Sequence, residues 1–145
     1  MKKHKSLDPE WVNTSDQELT PDGNEGFVYC ITNKLTGQKY IGRKYFWKRL
    51  SKKVPGKKRR KRFIEESDWK TYWGSCEPLH LDYFELGIKN FSREILSIHD
   101  NRPDVCYEEV AAQFKYDVLR SKDSEGNYLY YNNNIGNKYW RSRDE

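Results

Sequence analysis

Tyr29 and Tyr40 are the residues of this chain whose type and spacing most invite chemistry. They stand in two short motifs, Gly26-Phe27-Val28-Tyr29 and Lys39-Tyr40-Ile41-Gly42, with the tyrosines 11 positions apart. Each motif alternates apolar and aromatic residues in the manner of a β-strand, and Asn33-Lys34-Leu35-Thr36-Gly37-Gln38 between them carries the Asn and Gly of a tight turn. A hairpin is therefore predicted. Side chains on a strand alternate with a period of 2, so register decides where the hydroxyls point. If Thr32 pairs with Lys39, then Ile31 faces Tyr40 and Tyr29 shares that face, and two phenols project side by side. A register shifted by one residue separates them. Taken singly, each tyrosine is an ordinary strand residue of a half-buried sheet.

The charge pattern names the kind of partner such a pair would serve. The net charge is +5, with a pI near 9.0. From Gly26 to Ile64 there are 14 Lys and Arg and no Asp or Glu, which leaves 13 basic against 22 acidic residues in the rest of the chain. That asymmetry concentrates a positive field around the tyrosine hairpin, where it raises local phosphate concentration and association rate. Its peak is Lys57-Lys58-Arg59-Arg60-Lys61-Arg62, preceded across Val54-Pro55-Gly56 by Lys52 and Lys53. A solvated loop or a nuclear-import signal would carry the same run.

The elements that must hold these residues fit one domain. A flexible polar arm is expected over residues 1–25, then a single domain over 26–140 with a basic insertion at about 48–64. The second hairpin strand is read through Arg43-Lys44-Tyr45-Phe46-Trp47, with a turn at Val54-Pro55-Gly56. Ser67-Asp68-Trp69 caps a short helical turn stopped by Gly74. Cys76-Glu77-Pro78 opens a helix carrying Leu79, Phe84 and Leu86, with Gly87 as its C-cap. A strand follows over Phe91 to Ile98. A second helix is expected from Asp104 to Leu119, with Cys106, Val110, Phe114 and Val118 as the stripe facing the sheet and Glu109 beside it. The fold class is α+β, a small central antiparallel sheet of about three strands flanked by helices.

Other classes are disfavoured. Three widely spaced cysteines imply no disulfide framework and favour a reducing setting. Cys76 and His80 form no usual zinc spacing with any other ligand pair. No apolar run reaches membrane-spanning length and the N-terminus leads into no signal-peptide core, so a cytoplasmic protein that is not secreted is expected, with no membrane and no obligate protein partner.

The order of these features resembles the GIY-YIG nuclease domain from Gly26 to about Ile135: tyrosine hairpin, basic segment, helix, strand, acidic helix and a Tyr-Asn close. Ser67-Asp68-Trp69-Lys70-Thr71-Tyr72-Trp73-Gly74-Ser75 and Phe91-Ser92-Arg93-Glu94-Ile95-Leu96 narrow the resemblance to free-standing, homing-type enzymes encoded by large phages, which would place the protein in a host cytoplasm. Phe27-Val28 stands where Gly-Ile commonly precedes the first Tyr, and keeps those strand positions hydrophobic.

The resemblance implies a metal-dependent endonuclease acting on double-stranded DNA. It makes Tyr29 the general base or water-orienting phenol and Tyr40 its partner, with Arg43, Lys44 and a bound cation favouring the phenolate. It asks for an arginine on the scissile phosphate, for which Arg49 is the best match and Arg43 the rival. Its single metal ligand falls on Glu109, with Glu108 the alternative, to hold Mg²⁺ or Mn²⁺. Asn132 corresponds to an asparagine that supports the site. DNA contacts are expected from Lys52, Lys53, Lys57, Lys58, Arg59, Arg60, Lys61 and Arg62. The rival from another class is a non-catalytic basic module that binds nucleic acid through these residues and aromatics such as Trp47 and Trp69.

Overall fold

In the computed structural model, residues 8–142 are described, and every structural statement here concerns them. In chain order the elements are β1 (Trp11–Asn13), β2 (Gly26–Asn33), β3 (Lys39–Tyr45), β4 (Trp47–Lys52), β5 (Lys61–Glu66), α1 (Glu77–Leu86), β6 (Phe91–His99), α2 (Arg102–Lys115), β7 (Asn134–Ile135) and β8 (Tyr139–Trp140). The class is α+β, as expected. The main sheet has four strands in the order β1-β6-β2-β3 and is mixed, because β1 pairs with β6 in parallel while the other neighbours are antiparallel.

Three strands were anticipated, and the fourth comes from the segment read as a flexible arm. Trp11 holds it there. Its indole N–H donates to the Trp69 carbonyl at 2.7 Å, and its ring packs edge-on against Phe27 and Tyr29. Residues 1–7 lie outside the described residues.

β2 lies between two neighbours, so both of its edges are paired, and a core packs on each of its faces, so nearly all its residues are buried. Phe27, Tyr29 and Ile31 enter one core with Phe46, Trp69, Trp73, Leu79, Phe91 and Ile95. Val28 and Cys30 enter a second with Ile41, Val118, Leu119 and Ile135. The turn after β2 is built by Asn33, whose side-chain oxygen accepts from the Leu35 and Thr36 amides. Gly37 follows at φ +79°, where a Cβ would be strained.

β3 is an edge strand, and residues 129–132 close it. Lys39 donates its amide to the Leu129 carbonyl and accepts from the Tyr131 amide. The Asn132 side chain then takes the place of a neighbouring backbone: its oxygen accepts from the Ile41 amide at 3.1 Å and its NH₂ donates to the Ile41 carbonyl at 2.8 Å.

The basic insertion is a second hairpin. β4 and β5 pair with each other in a separate two-stranded sheet, joined by residues 53–60. Phe46 breaks the long strand expected from Lys39 to Trp47, because it turns into the core while β4 departs.

α1 begins with Pro78 in its first turn and ends at Gly87, φ +87°. Its Phe84 is 91% exposed rather than part of the core. α2 starts two residues before the expected Asp104. Asn101 caps it by accepting from the Asp104 amide at 2.9 Å. The inward stripe of α2 also differs from the expected one. Phe114 is half exposed, whereas Val105 and Gln113 are buried, so the stripe runs Val105, Glu109, Gln113. An apolar period cannot reveal a face whose second and third members are polar.

Candidate active site

The predicted register holds. Thr32 pairs with Lys39, Ile31 with Tyr40 and Tyr29 with Gly42, which places the two tyrosines on one face with ring centroids 6.2 Å apart. Gly42 is what lets the Tyr29 hydroxyl reach the sheet edge. A Cβ at Gly42 would lie 2.5 Å from the Tyr29 hydroxyl and 2.9 Å from the Tyr40 ring, so any side chain there would displace both phenols.

A cavity of about 690 Å³ opens at this edge. It collects groups from both faces of the sheet: Tyr29, Tyr40 and Tyr72 from one, and Arg43 with the inward stripe of α2, Glu109 and Gln113, from the other. Asn132 lines it too, while holding Ile41. Arg43 donates to Glu109 at 2.7 Å, joining β3 to α2 across the cavity wall.

Burial governs the electrostatics. Tyr29 is 1% exposed, and desolvation, reinforced by Tyr40, Tyr72 and Glu109, drives its phenol well above its ordinary range. Burial likewise raises Tyr40, with Cys76, Glu109 and Tyr72 acting in the same direction and Arg43 opposing. Both phenols are therefore neutral at pH 7. Desolvation also pushes the Glu109 carboxyl up, against the pull of Arg43. Arg43 is itself raised, because Glu109 outweighs the desolvation of its guanidinium. The expected help from Lys44 goes elsewhere: its ammonium pairs with Asp68 at 2.7 Å and sits 4.0 Å over the Tyr72 ring, outside the cavity.

The two rival arginines are separated by the fold. Arg43 lines the cavity. Arg49, the preferred match in the sequence, lies on β4, where it pairs with Glu25 at 2.8 Å and does not line the cavity. Glu108 is exposed on α2, beside the inward-facing Glu109. Of the basic set, Lys52, Lys61 and Arg62 are on the strands of the second hairpin, and Lys53, Lys57, Lys58, Arg59 and Arg60 are on its connection. Arg60 is held back onto the Ser51 hydroxyl and carbonyl.

Two residues of the site escaped the sequence reading. Tyr72 meets Tyr29 edge to face, with ring centroids 6.0 Å apart, and helps to raise its phenol. Gln113 donates its amide to the Ile41 carbonyl at 3.0 Å while its own oxygen is buried without a partner, an omission that costs about 1–3 kcal/mol. Tyr72 lies in the motif that narrows the resemblance. Gln113 is one helical turn after Glu109, a spacing that could have drawn attention to it.

Among the described residues no group of three His, Cys, Asp or Glu could hold a metal ion. The cavity does fit a hard cation held by few protein atoms, since its lining offers the carboxylates of Glu109 and Glu77, phenolic oxygens, and the Gln113 amide oxygen.

The family model described as "Putative endonuclease segE, GIY-YIG domain" matches residues 11–135. No match was found among curated proteins or among solved structures. The matched span begins with β1, includes both hairpins and both helices, and ends at Ile135, so it covers the cavity wall apart from Gly136 and Asn137. The chain belongs to the GIY-YIG endonuclease family of phosphodiester hydrolases.

Proposed function

We propose that this protein cleaves double-stranded DNA by divalent-cation-assisted hydrolysis of a phosphodiester at the β3 edge. The observation that carries the reading is the convergence of Tyr29, Tyr40, Arg43 and Glu109 on one cavity, beside a hairpin that has no acidic residue between Lys48 and Ile64. Their chemistry matches the family to which the chain belongs.

Each residue has a part that its surroundings support. Arg43 offers guanidinium N–H groups to a non-bridging phosphate oxygen, and only its Nη1 is committed, to Glu109. Arg43 takes this role over Arg49 because it is the arginine at the cavity. Tyr40 is more open than Tyr29, so it takes over from Tyr29 the part of orienting the attacking water that the resemblance implied. Tyr29, neutral and buried with Tyr72, fixes Tyr40 and completes the hydroxyl chain along which the proton leaves. Lys44 over the Tyr72 ring and Asn132 on Ile41 position this set without entering it. Glu109 would hold Mg²⁺ or Mn²⁺, which supplies positive charge for the developing oxyanion and favours phenolate over phenol.

The β4–β5 hairpin is the DNA-holding arm, with Lys52, Lys53, Lys57, Lys58, Arg59, Arg60, Lys61 and Arg62 on backbone phosphates. The further reading, a homing-type enzyme of phage origin acting in a host cytoplasm, rests on the resemblance of the Ser67–Ser75 motif. The test is incubation of the purified protein with plasmid and long linear DNA, with Mg²⁺ or EDTA. Nicked or linear product that needs Mg²⁺ is expected; binding without any cleavage under both conditions would leave a non-catalytic DNA-binding module.

A further inference from the structure

Gln113 is the group in the cavity with unused capacity. It is 5% exposed, faces inward one turn after Glu109, and lines the same cavity. Its amide cannot be turned around to hide the deficit. The Ile41 carbonyl accepts hydrogen bonds and offers none, so the Gln113 NH₂ must face it, and the oxygen must face away. That carbonyl already receives the Asn132 NH₂ at 2.8 Å. The tether from Gln113 is thus a second bond to an acceptor already served, while the oxygen meets no donor. A side chain selected only to hold Ile41 would not need an orphaned acceptor beside a buried carboxylate.

We infer that the Gln113 side-chain oxygen is the second protein contact of the divalent cation held by Glu109, accepting from a water on that cation or binding it directly. The inference rests on the reading of Glu109 as the metal ligand. It accounts for the orphaned oxygen and for its placement on the Glu109 face of α2. Hard cations with few protein ligands depend on such neighbours to fix their water shell.

The test is Mn²⁺ affinity of the full chain, followed by electron paramagnetic resonance of the free ion, with no cleavage readout. Wild type, Gln113→Met, Gln113→Glu and Glu109→Gln are compared, and each is also melted in EDTA. Both Gln113 variants lose the tether to Ile41, but only Gln113→Glu keeps an oxygen that can accept. The expected result is Mn²⁺ affinity weakened about 10-fold in Gln113→Met and no weaker than wild type in Gln113→Glu. A purely structural tether predicts equal weakening in both variants, and that outcome overturns the inference, as does wild-type affinity in Gln113→Met. If Gln113→Met does not fold, Gln113→Glu decides alone: weaker Mn²⁺ binding than wild type overturns the proposal. Unchanged affinity in Glu109→Gln would instead sink the reading of Glu109, and this inference with it.

Discussion

Two arginine–glutamate pairs of nearly equal length, one at the cavity and one at the root of the basic hairpin, behave in opposite ways. At the cavity Arg43 meets Glu109 at 2.7 Å; at the root of the basic hairpin Arg49 meets Glu25 at 2.8 Å. Burial pushes both carboxyls up. Glu25 ends below its ordinary value because two guanidiniums, Arg49 and Arg102, together outweigh that burial. Glu109 ends above it, because one guanidinium does not. The hairpin root is thus an electrostatically satisfied joint. The cavity pair carries less positive charge than the burial of its carboxyl would offset, which suits the cation proposed for Glu109. An ion pair's length does not reveal its role; the balance of desolvation against partners does.

The largest expected effect comes from removing the undersupplied carboxylate. Glu109→Gln should lower single-turnover cleavage about 1000-fold, since several kcal/mol of charge stabilisation is at stake, while DNA binding stays within about threefold. Its effect on stability should run the other way. A carboxyl whose folded pKa is raised is penalised when ionised, and that cost is present above the raised pKa and relieved as pH falls through it. Glu109→Gln should therefore leave the melting temperature at pH 7 unchanged or higher, and cleavage by the wild type should fall on the acid side at a pH above the ordinary carboxylate range. A cleavage-dead variant that also melts lower would make Glu109 a structural joint like Glu25 and erase the contrast.

The hairpin should show the complementary pattern, weakened binding with intact chemistry. Replacing Lys57, Lys58, Arg59, Arg60, Lys61 and Arg62 with Ser or Gln removes up to six phosphate contacts, worth about 5 in log–log salt slope if all engage. Arg60 is occupied with Ser51, and a loop seldom seats every side chain, so a change of about 2.5 is expected. Extrapolated from 1 M, that corresponds to about 300-fold weaker binding at 0.1 M salt. Single-turnover cleavage at saturating enzyme and low salt should persist. An unchanged slope would move the DNA-binding face elsewhere.

Tyr29→Phe should reduce turnover about 100-fold with little change in melting, because it deletes a hydroxyl and keeps the ring that packs against Trp11, Phe27 and Tyr72. Near-normal rates in both Tyr29→Phe and Tyr40→Phe would return the pair to sheet packing.

How much of this was legible in the sequence follows from what each signal depends on. The hairpin register was readable because Asn33 and Gly37 fix the turn and the tyrosines fix the face. The fourth strand was not, because Trp11–Asn13 is short and its pairing partner lies 82 residues away, at Trp11 with Arg93. Glu109 was found through resemblance, but its burial could not be: the inward line Val105, Glu109, Gln113 is two-thirds polar, and of the apolar stripe expected one position over, Val110 packs against the core and Val118 is buried while Phe114 is half exposed. Tyr72 was hidden for a similar reason, since its contact with Tyr29 is made by a loop held in place by the buried Arg93, which donates to the Lys70 and Tyr72 carbonyls. The choice between Arg43 and Arg49 needed the break at Phe46. The sequence reading runs the active strand on to Trp47, close to Arg49, whereas the chain breaks at Phe46 and Arg49 lies on a separate hairpin.

Arg49 itself offers the smallest effect and the sharpest comparison with Arg43. Arg49→Ala removes one exposed cation from the hairpin root, so it should weaken DNA binding only a few-fold, reduce the salt slope by about 1, and leave single-turnover cleavage within about threefold. Arg43→Ala, which takes the guanidinium from the cavity, should lower that rate at least tenfold more. The stability of the Arg49 variant carries a pH signature. Because the folded Glu25 carboxyl lies below its ordinary value, its stabilisation is fully present above that value and is lost as pH falls through the lowered one. Without Arg49, Glu25 keeps only Arg102. The melting-temperature gap between wild type and Arg49→Ala should therefore be open at pH 7 and close on acidification below the carboxylate range. The root pair is largely solvated on its Arg49 side, so the gap should be small, of the order of 1 kcal/mol or less. A cleavage rate that collapses in Arg49→Ala while Arg43→Ala stays active would reverse the assignment of the two pairs, and would require the hairpin to fold over the cavity when DNA is bound.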